Sequence, residues 1–222
     1  MTEKTQHHDF IEINYTGKLT DGKVFDTTLQ EVAKGVGLPL EKTKFGPMVV
    51  CIGEHQLLPG LDKELENRIV GEKFTVNLNA EDAFGKKDVK NLKIVPISSF
   101  REQNVQPRIG LQLEIDNKVG TVMRISGGRI IVNFNHPLAG REVVYDVEII
   151  RKITDSKDQL KSFLNSAMKI PEDKIQVGVN EGVAEVTLPL QLPEQFTLDI
   201  GKKLAEITKL KDVKFLAPKS KE

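Results

Sequence analysis

From Phe10 the chain alternates, with Ile11, Ile13 and Tyr15 on one side and Glu12, Asn14 and Thr16 on the other, the period-two pattern of a half-buried strand. Asp21-Gly22 offers tight-turn chemistry before Val24-Phe25 resumes an apolar segment, so the start predicts a hairpin. Residues 34–47 carry Gly35, Gly37, Pro39, Gly46 and Pro47 and read as a loop; residues 48–52 then read as a buried strand closed by Gly53. Leu57, Leu61, Leu65 and Ile69 recur at helical spacing, Leu58 widens the stripe, Pro59 suits a first turn and Gly71 a stop. This spacing predicts one amphipathic helix over residues 56–70. Phe74, Val76 and Leu78 alternate as a further strand, ended by Glu81-Asp82-Ala83-Phe84-Gly85.

Strand character persists over residues 92–95, 110–115, 119–125 and 129–134, with turns at Asp116-Asn117 and Gly127-Gly128 and one short helix over 97–103. The stretch reads as an all-β unit. Val143, Tyr145, Val147 and Ile149 then alternate against Asp146, Glu148 and Lys152 as a long amphipathic strand. After it the rhythm changes. Ser156 and Gln159 have capping-box spacing, and Leu160, Phe163, Leu164, Ala167 and Met168 form a helical stripe. Residues 175–179 and 183–188 bracket Asn180-Glu181-Gly182 as a hairpin, Ile200, Leu204 and Ile207 mark a second helix, and 213–216 a last strand. An α-β-β-α-β order predicts a separate small α+β domain, followed by a charged tail from Pro218.

Composition narrows the function classes. Lys+Arg and Asp+Glu are both 32, which lacks the basic excess of a nucleic-acid binder. The longest apolar run, residues 48–52, is far below the roughly 18 residues of a membrane helix, and the polar start does not resemble a secretory signal. A single cysteine, Cys51, permits no internal disulfide and fits a reduced, cytoplasmic setting, where it reads as a buried small hydrophobe. The four histidines, His7, His8, His55 and His136, have neither metalloprotease spacing nor a neighbouring nucleophile, and His7-His8 reads as a surface tail. No nucleophile elbow or phosphate loop is present. Any chemistry here has to work without a covalent intermediate, a metal or a cofactor.

Several segments in order carry a resemblance: Tyr15-Thr16-Gly17-Lys18-Leu19, then Asp21-Gly22-Lys23-Val24-Phe25-Asp26, then residues 53–61 ending in Leu-Pro-Gly-Leu, then Ala83-Phe84-Gly85. Asn135-His136-Pro137-Leu138-Ala139-Gly140 and Tyr145-Asp146-Val147-Glu148 complete the set. Together they resemble the FK506-binding-protein (FKBP) family of peptidyl-prolyl cis/trans isomerases. The return point after about 50 intervening residues is similar to the SlyD-like subgroup, and the C-terminal portion of about 70 residues to its long archaeal members. The resemblance implies an α+β fold, an antiparallel sheet wrapped on a helix, with an isomerase domain in two pieces (1–86 and 136–153), an insert-in-flap chaperone domain (87–135) and a C-terminal α+β domain (154–222). The His- and Cys-rich tail of bacterial SlyD proteins is missing from the sequence, so no metal is carried over.

By position in the matched motifs, Tyr15, Asp26, Phe84 and Tyr145 are expected at the catalytic site, with Phe25, Met48, Leu57, Leu58, Leu61 and Leu138 lining the proline pocket. Leu61 stands where many members have Trp, and Phe84 where a Tyr is frequent; both departures weaken the expectation of drug binding. The chemistry asks for no nucleophile. An X-Pro amide interconverts over a barrier of roughly 20 kcal/mol set by lost resonance, and a catalyst has only to bind the twisted, less polar amide better than the planar one. Expected partners are unfolded or proline-containing polypeptides, with no nucleic acid and no membrane. Two other readings stay open: a non-enzymatic holdase chaperone with a vestigial pocket, and a homodimer formed through the C-terminal domain. Phe100, Ile109, Met123 and Phe134 read as core of the insert unless some are exposed for clients.

Overall fold

Alternation over Phe10–Leu19 produces a ten-residue strand, β1, in which Ile11 and Ile13 are fully buried. In the computed structural model, which describes residues 3–40, 45–102, 104–115 and 118–217, β1 is followed by β2 (Val24–Thr27), α1 (Gln30–Val36), β3 (Met48–Cys51), α2 (Pro59–Glu64) and β4 (Lys73–Leu78). Next come β5 (Leu92–Pro96), α3 (Ile97–Glu102), β6 (Gln112–Ile115), β7 (Lys118–Ser126) and β8 (Arg129–Asn133). The chain returns through β9 (Val143–Lys152) and ends with α4 (Ser156–Met168), β10 (Gln176–Asn180), β11 (Val183–Thr187), α5 (Glu194–Thr208) and β12 (Asp212–Leu216). Contacts divide it into two units, one running to Leu78 and resuming at Val143, the other spanning 79–142. The turn expected at Asp116-Asn117 and the tail from Pro218 lie outside the described residues, as does part of the 34–47 loop. No helix of the described residues is long and apolar enough to cross a membrane.

The first unit's main sheet has the order β2-β1-β9-β4, with β3 also paired to β1, and every pairing is antiparallel. One edge of β1 therefore serves two partners: β3 along Phe10–Ile13 and β2 along Thr16–Lys18. The expected helix over residues 56–70 is only α2. It stops at Leu65 because the N-terminal segment competes for the backbone beyond: Thr5 Oγ1 donates to the Leu65 carbonyl at 2.5 Å and accepts from the Arg68 N–H at 3.0 Å. Lys4 bridges to Ile69, and Asn67 takes φ 60°. Ile69 is consequently 38% exposed, off the buried stripe. The same contacts tie down the N-terminal segment: Thr5 is fully buried, while His7 is exposed at the surface, as read, with Nδ1 2.9 Å from Glu66 Oε1. Glycines at 35 and 37 suggested loop, yet residues 30–36 form α1, which Gly37 closes at φ 72°.

In the C-terminal portion the N-cap of α4 is Asp155, one residue before the expected Ser156; its carboxylate accepts from the N–H groups of Lys157 and Asp158 at 2.8 and 3.1 Å. Gln159 instead donates to the Ile153 carbonyl at 2.7 Å. Sheet β10-β11-β12 is antiparallel at its first pairing and parallel at its second, with α5 as the crossover. That helix lies flush on β12, because a Cβ at Gly201 would stand 2.6 Å from the Val213 carbonyl oxygen. Leu160, Leu164, Ile175, Val186 and Leu204 pack in one cluster that also contains Phe10 and Cys51. The segment read as a separate domain from residue 154 thus shares its core with β1 and β3. Burial of each such side chain contributes roughly 1.5–3 kcal/mol, enough to bind the two portions into one cooperative body.

The second unit is a four-stranded antiparallel sheet, β5-β8-β7-β6, over a core of Phe100, Val122, Ile130 and Val132. Phe134 packs on that core, while Ile109 and Met123, also read as core, are 71% and 53% exposed. Met123 is the extra residue of a bulge in β7, between Val122 paired to Val132 and Arg124 paired to Ile131. On the sheet face away from the core, Leu92, Ile94 and Val119 are exposed beside half-buried Ile131, which pairs directly with Ile94.

Cys51 is fully buried, and burial together with the nearby Glu54 and Asp62 charges pushes its thiol up to about 12. A thiol there holds about a thousandfold less thiolate than an ordinary cysteine near 9 under mildly alkaline conditions. Iodoacetamide labelling of the native protein is expected to be slower by at least that factor than in urea. Equal rates in the two states would place Cys51 outside the shared core.

Candidate functional site

Gly17 sits at the middle of three strands, paired with Asp26 of β2 on one side and Tyr145 of β9 on the other. Directly paired residues point to the same face, as do residues two apart on a strand, so Asp26, Tyr145 and Tyr15 share one face of the sheet. The β1–β2 register shifts between Gly17 and Lys18, leaving Phe25 as an extra residue on β2. That bulge lets consecutive Phe25 and Asp26 both serve the site. The Phe25 ring meets Tyr145 edge-on at 5.9 Å and 81°, and the Tyr15 and Tyr145 rings lie 5.8 Å apart at 55°. Tyr15 Oη donates to Asp26 Oδ2 at 3.0 Å.

The electrostatics keep this cluster neutral at its phenols. Burial, then the Asp26 charge and the hydrogen bond to it, raise the Tyr15 hydroxyl far above the usual phenol range; burial and then Asp26 do the same for Tyr145. Beside Phe25 and Asp26 is a recess of about 100 Å³, closed by Thr27, Leu38, Pro39 and Phe45. Leu38, Pro39 and Phe45 were not anticipated, since a Gly- and Pro-rich loop gives no periodicity from which to place its side chains. No motif position marks Gly17 out, yet its bare Cα makes room for the rings: a Cβ would be 2.9 Å from both Phe25 Cζ and Tyr145 Cε1.

The remaining expected residues divide between the units. Met48 opens β3 opposite Ile13 and is half-buried, as are Leu57 and Leu58 just before α2, whereas Leu61 is 1% exposed. Phe84 and Leu138 belong to the second unit. There Phe84 stacks on the His136 ring at 4.4 Å and 2°, and His136 Nδ1 accepts from the Leu138 N–H at 3.2 Å. His136 thereby fixes the return segment. Among the described residues no group of three His, Cys, Asp or Glu side chains is arranged to hold a metal ion.

Residues 1–101 match the family model described as FKBP-type peptidyl-prolyl cis-trans isomerase, and residues 93–138 the model described as FKBP26, IF domain. Over residues 1–138 the chain matches FKBP-family models, and the relatives similar to it are FKBP-type peptidyl-prolyl cis-trans isomerases. Among similar FKBP relatives, the short-type peptidyl-prolyl cis-trans isomerase of Methanocaldococcus jannaschii is 25% identical over 141 residues, covering 64% of this chain and 89% of that protein. The FKBP-type 16 kDa peptidyl-prolyl cis-trans isomerase of Escherichia coli K12 is 27% identical over 155 residues, covering 68% and 95%. The SlyD isomerase of Vibrio cholerae is 27% identical over 124 residues, covering 54% and 61%.

Two expected outcomes test the geometry of this aromatic cluster. Gly17→Ala forces the two rings apart and is expected to destabilise the protein by about 1–3 kcal/mol, the usual cost of overpacking; an unchanged urea midpoint would contradict the contact. The chain has two tyrosines, both in the cluster. Because the fold raises both hydroxyls, stability is complete below the unfolded phenol value of about 10 and declines as pH rises beyond it. Phenolate absorbance of the native protein should therefore show no step near pH 10, while urea stability falls above that pH. An ordinary two-tyrosine step in the folded protein would exclude the buried cluster.

Proposed function

We propose that this isomerase binds X-Pro segments at the aromatic cluster of Tyr15, Phe25, Asp26 and Tyr145 and the small recess beside Phe25 and Asp26, favours the twisted amide there, and accelerates proline-limited folding with the help of the insert. The observation that carries this reading is the Tyr15–Asp26 hydrogen bond at 3.0 Å set among Phe25 and Tyr145. It presents rigid apolar ring faces with a fixed polar group, which removes water from the planar amide dipole without offering a nucleophile. Met48, Leu57, Leu58 and Leu61 belong to the same pocket in this reading, and Phe84 and Leu138 keep the roles that the family resemblance implies. The insert's exposed Leu92, Ile94 and Val119, on one face of its sheet, support a chaperone surface for unfolded segments. We further assign the chain to the SlyD-like subgroup, as a long archaeal-type member acting in a reducing cytoplasm on unfolded or proline-containing polypeptides. Pairing of two copies through the C-terminal portion is part of the proposal, and sedimentation of the full chain decides it.

One observation favours a second reading, a holdase with a vestigial pocket. Leu61 stands where many relatives in the resemblance have Trp, and at 1% exposure it offers a proline ring almost no surface. A protease-free prolyl-peptide assay separates the two. Isomerisation above background is expected for the wild type, with a loss of about tenfold or more, or 1.4 kcal/mol, in Asp26→Ala and Tyr145→Ala. Replacing residues 87–134 by a short turn is expected to leave peptide isomerisation intact while refolding catalysis drops sharply. Wild-type activity at background would favour the holdase reading, and equal loss of both activities in a folded insert variant would end the two-module account.

A further inference from the structure

Between β3 and α2 the chain makes a tight turn that ends in Leu57 and Leu58. Gly53 and His55 take φ 88° and 54°, and Asp62 of α2 accepts from their N–H groups at 3.0 and 3.2 Å. Gln56 Oε1 accepts from the Cys51 N–H at 2.7 Å. These bonds set the turn's internal shape. Glu54 anchors it to the C-terminal portion. Its side chain is 6% exposed, with Oε2 2.5 Å from Lys203 Nζ of α5 and Oε1 3.4 Å from His8 Nε2.

A carboxylate removed this far from water is unstable unless a cation compensates it. His8 is the more distant partner and is charged only when protonated, whereas Lys203 offers its ammonium at the shorter distance. Asp62 is buried nearby and adds negative charge, and Lys152 is engaged by Asp9 at 2.7 Å. Lys203 is therefore the cation that allows Glu54 to remain inside. Its helix is itself fixed, because Leu204 packs in the cluster that includes Cys51. Without Lys203 the Glu54 carboxylate has to turn toward solvent, and the turn bearing Leu57 and Leu58 moves with it.

We propose that Lys203 is a positioning residue for the isomerase: through Glu54 it holds the 53–58 turn, so that the C-terminal portion sets the placement of the pocket's leucine wall. The proposal rests on the reading that Leu57 and Leu58 line the pocket, and its test separates the two. The full-length protein is compared with Lys203→Ala, Lys203→Arg and the double variant Lys203→Ala/Glu54→Gln, measuring kcat and KM on a prolyl tetrapeptide and amide hydrogen exchange at residues 53–58.

Lys203→Ala is expected to raise KM about tenfold with kcat within about twofold, the scale on which small displacements of positioning groups act, and to accelerate exchange across the turn. Lys203→Arg should restore wild-type behaviour. Glu54→Gln in the Lys203→Ala background should recover most of the loss, since a neutral amide needs no cation; a merely structural role for Lys203 would not show that recovery. Unchanged KM and exchange in Lys203→Ala, or a defect that Glu54→Gln fails to relieve, overturns the proposal. Should the wild type prove inactive on peptides, the pocket reading fails by itself, and exchange still decides on Lys203. Faster exchange in Lys203→Ala but not in Lys203→Arg then supports the anchoring, and identical exchange in all variants overturns it.

Discussion

At Gly17 three strands run side by side with no side chain between the rings of Phe25 and Tyr145, each of which comes within 2.9 Å of where a Cβ would stand. The rest of the site depends on that space. It lets the two rings meet edge to face, a geometry worth roughly 0.5–1.5 kcal/mol beyond burial. It also leaves Tyr15, two residues earlier on the same face, free to reach Asp26 across the strand pair. The bulge that delivers both Phe25 and Asp26 to this face is tolerable only beside a residue without bulk. In the proposed function, twisting an amide transfers no proton to the protein, so the quality of the site lies in how little it has to reorganise. A cluster locked by three strands meets that requirement.

The strand that carries Gly17 is held at its other end by unrelated parts of the chain. Phe10 belongs to the C-terminal core, and Ile11 and Ile13 to the sheet's inner side. Thr5 ties the N-terminal segment to the end of α2. Lys152, at the end of β9, is flanked by Asp9 at 2.7 Å and Glu3 at 3.3 Å. Both termini of the described chain thus brace the same two central strands, and strain introduced at either would be felt along them.

Period-two alternation made β1, β4 and β9 legible, because each has one face more deeply buried than the other. Tyr15, Asp26 and Tyr145 were legible through their motifs. What escaped was decided by pairing and by tertiary competition. No periodicity announces that Phe25 is the extra residue of a bulge, or that Gly17 is flanked by two rings. The leucine stripe was read as a helix to residue 70, yet it stops at α2 because Thr5, sixty residues away, takes the Leu65 carbonyl. Cys51 and Val49 were correctly read as apolar, but sequence does not say that the helices of the C-terminal portion cover them. Met123 looked like core until its bulge turned it to solvent, whereas Phe100 obeyed the pattern.

Where the second unit begins and ends, the chain is stitched to itself. Gly140 N–H donates to the Gly85 carbonyl at 2.8 Å, Asn135 accepts from the Asp88 N–H at 2.8 Å and donates to its carbonyl at 3.0 Å, and Phe134 N–H donates to Asn91 at 2.8 Å. A flexible excursion of this length would burden the surrounding sheet with closure entropy that grows, slowly, with the logarithm of its length. Here the two crossings are joined before the sheet of the second unit is reached, so that cost is carried by the insert's own folding. Entropically, the first unit experiences the whole of the second as a short turn, and the second can lengthen, shorten or change its exposed apolar face without adding closure cost to the sheet that holds Gly17.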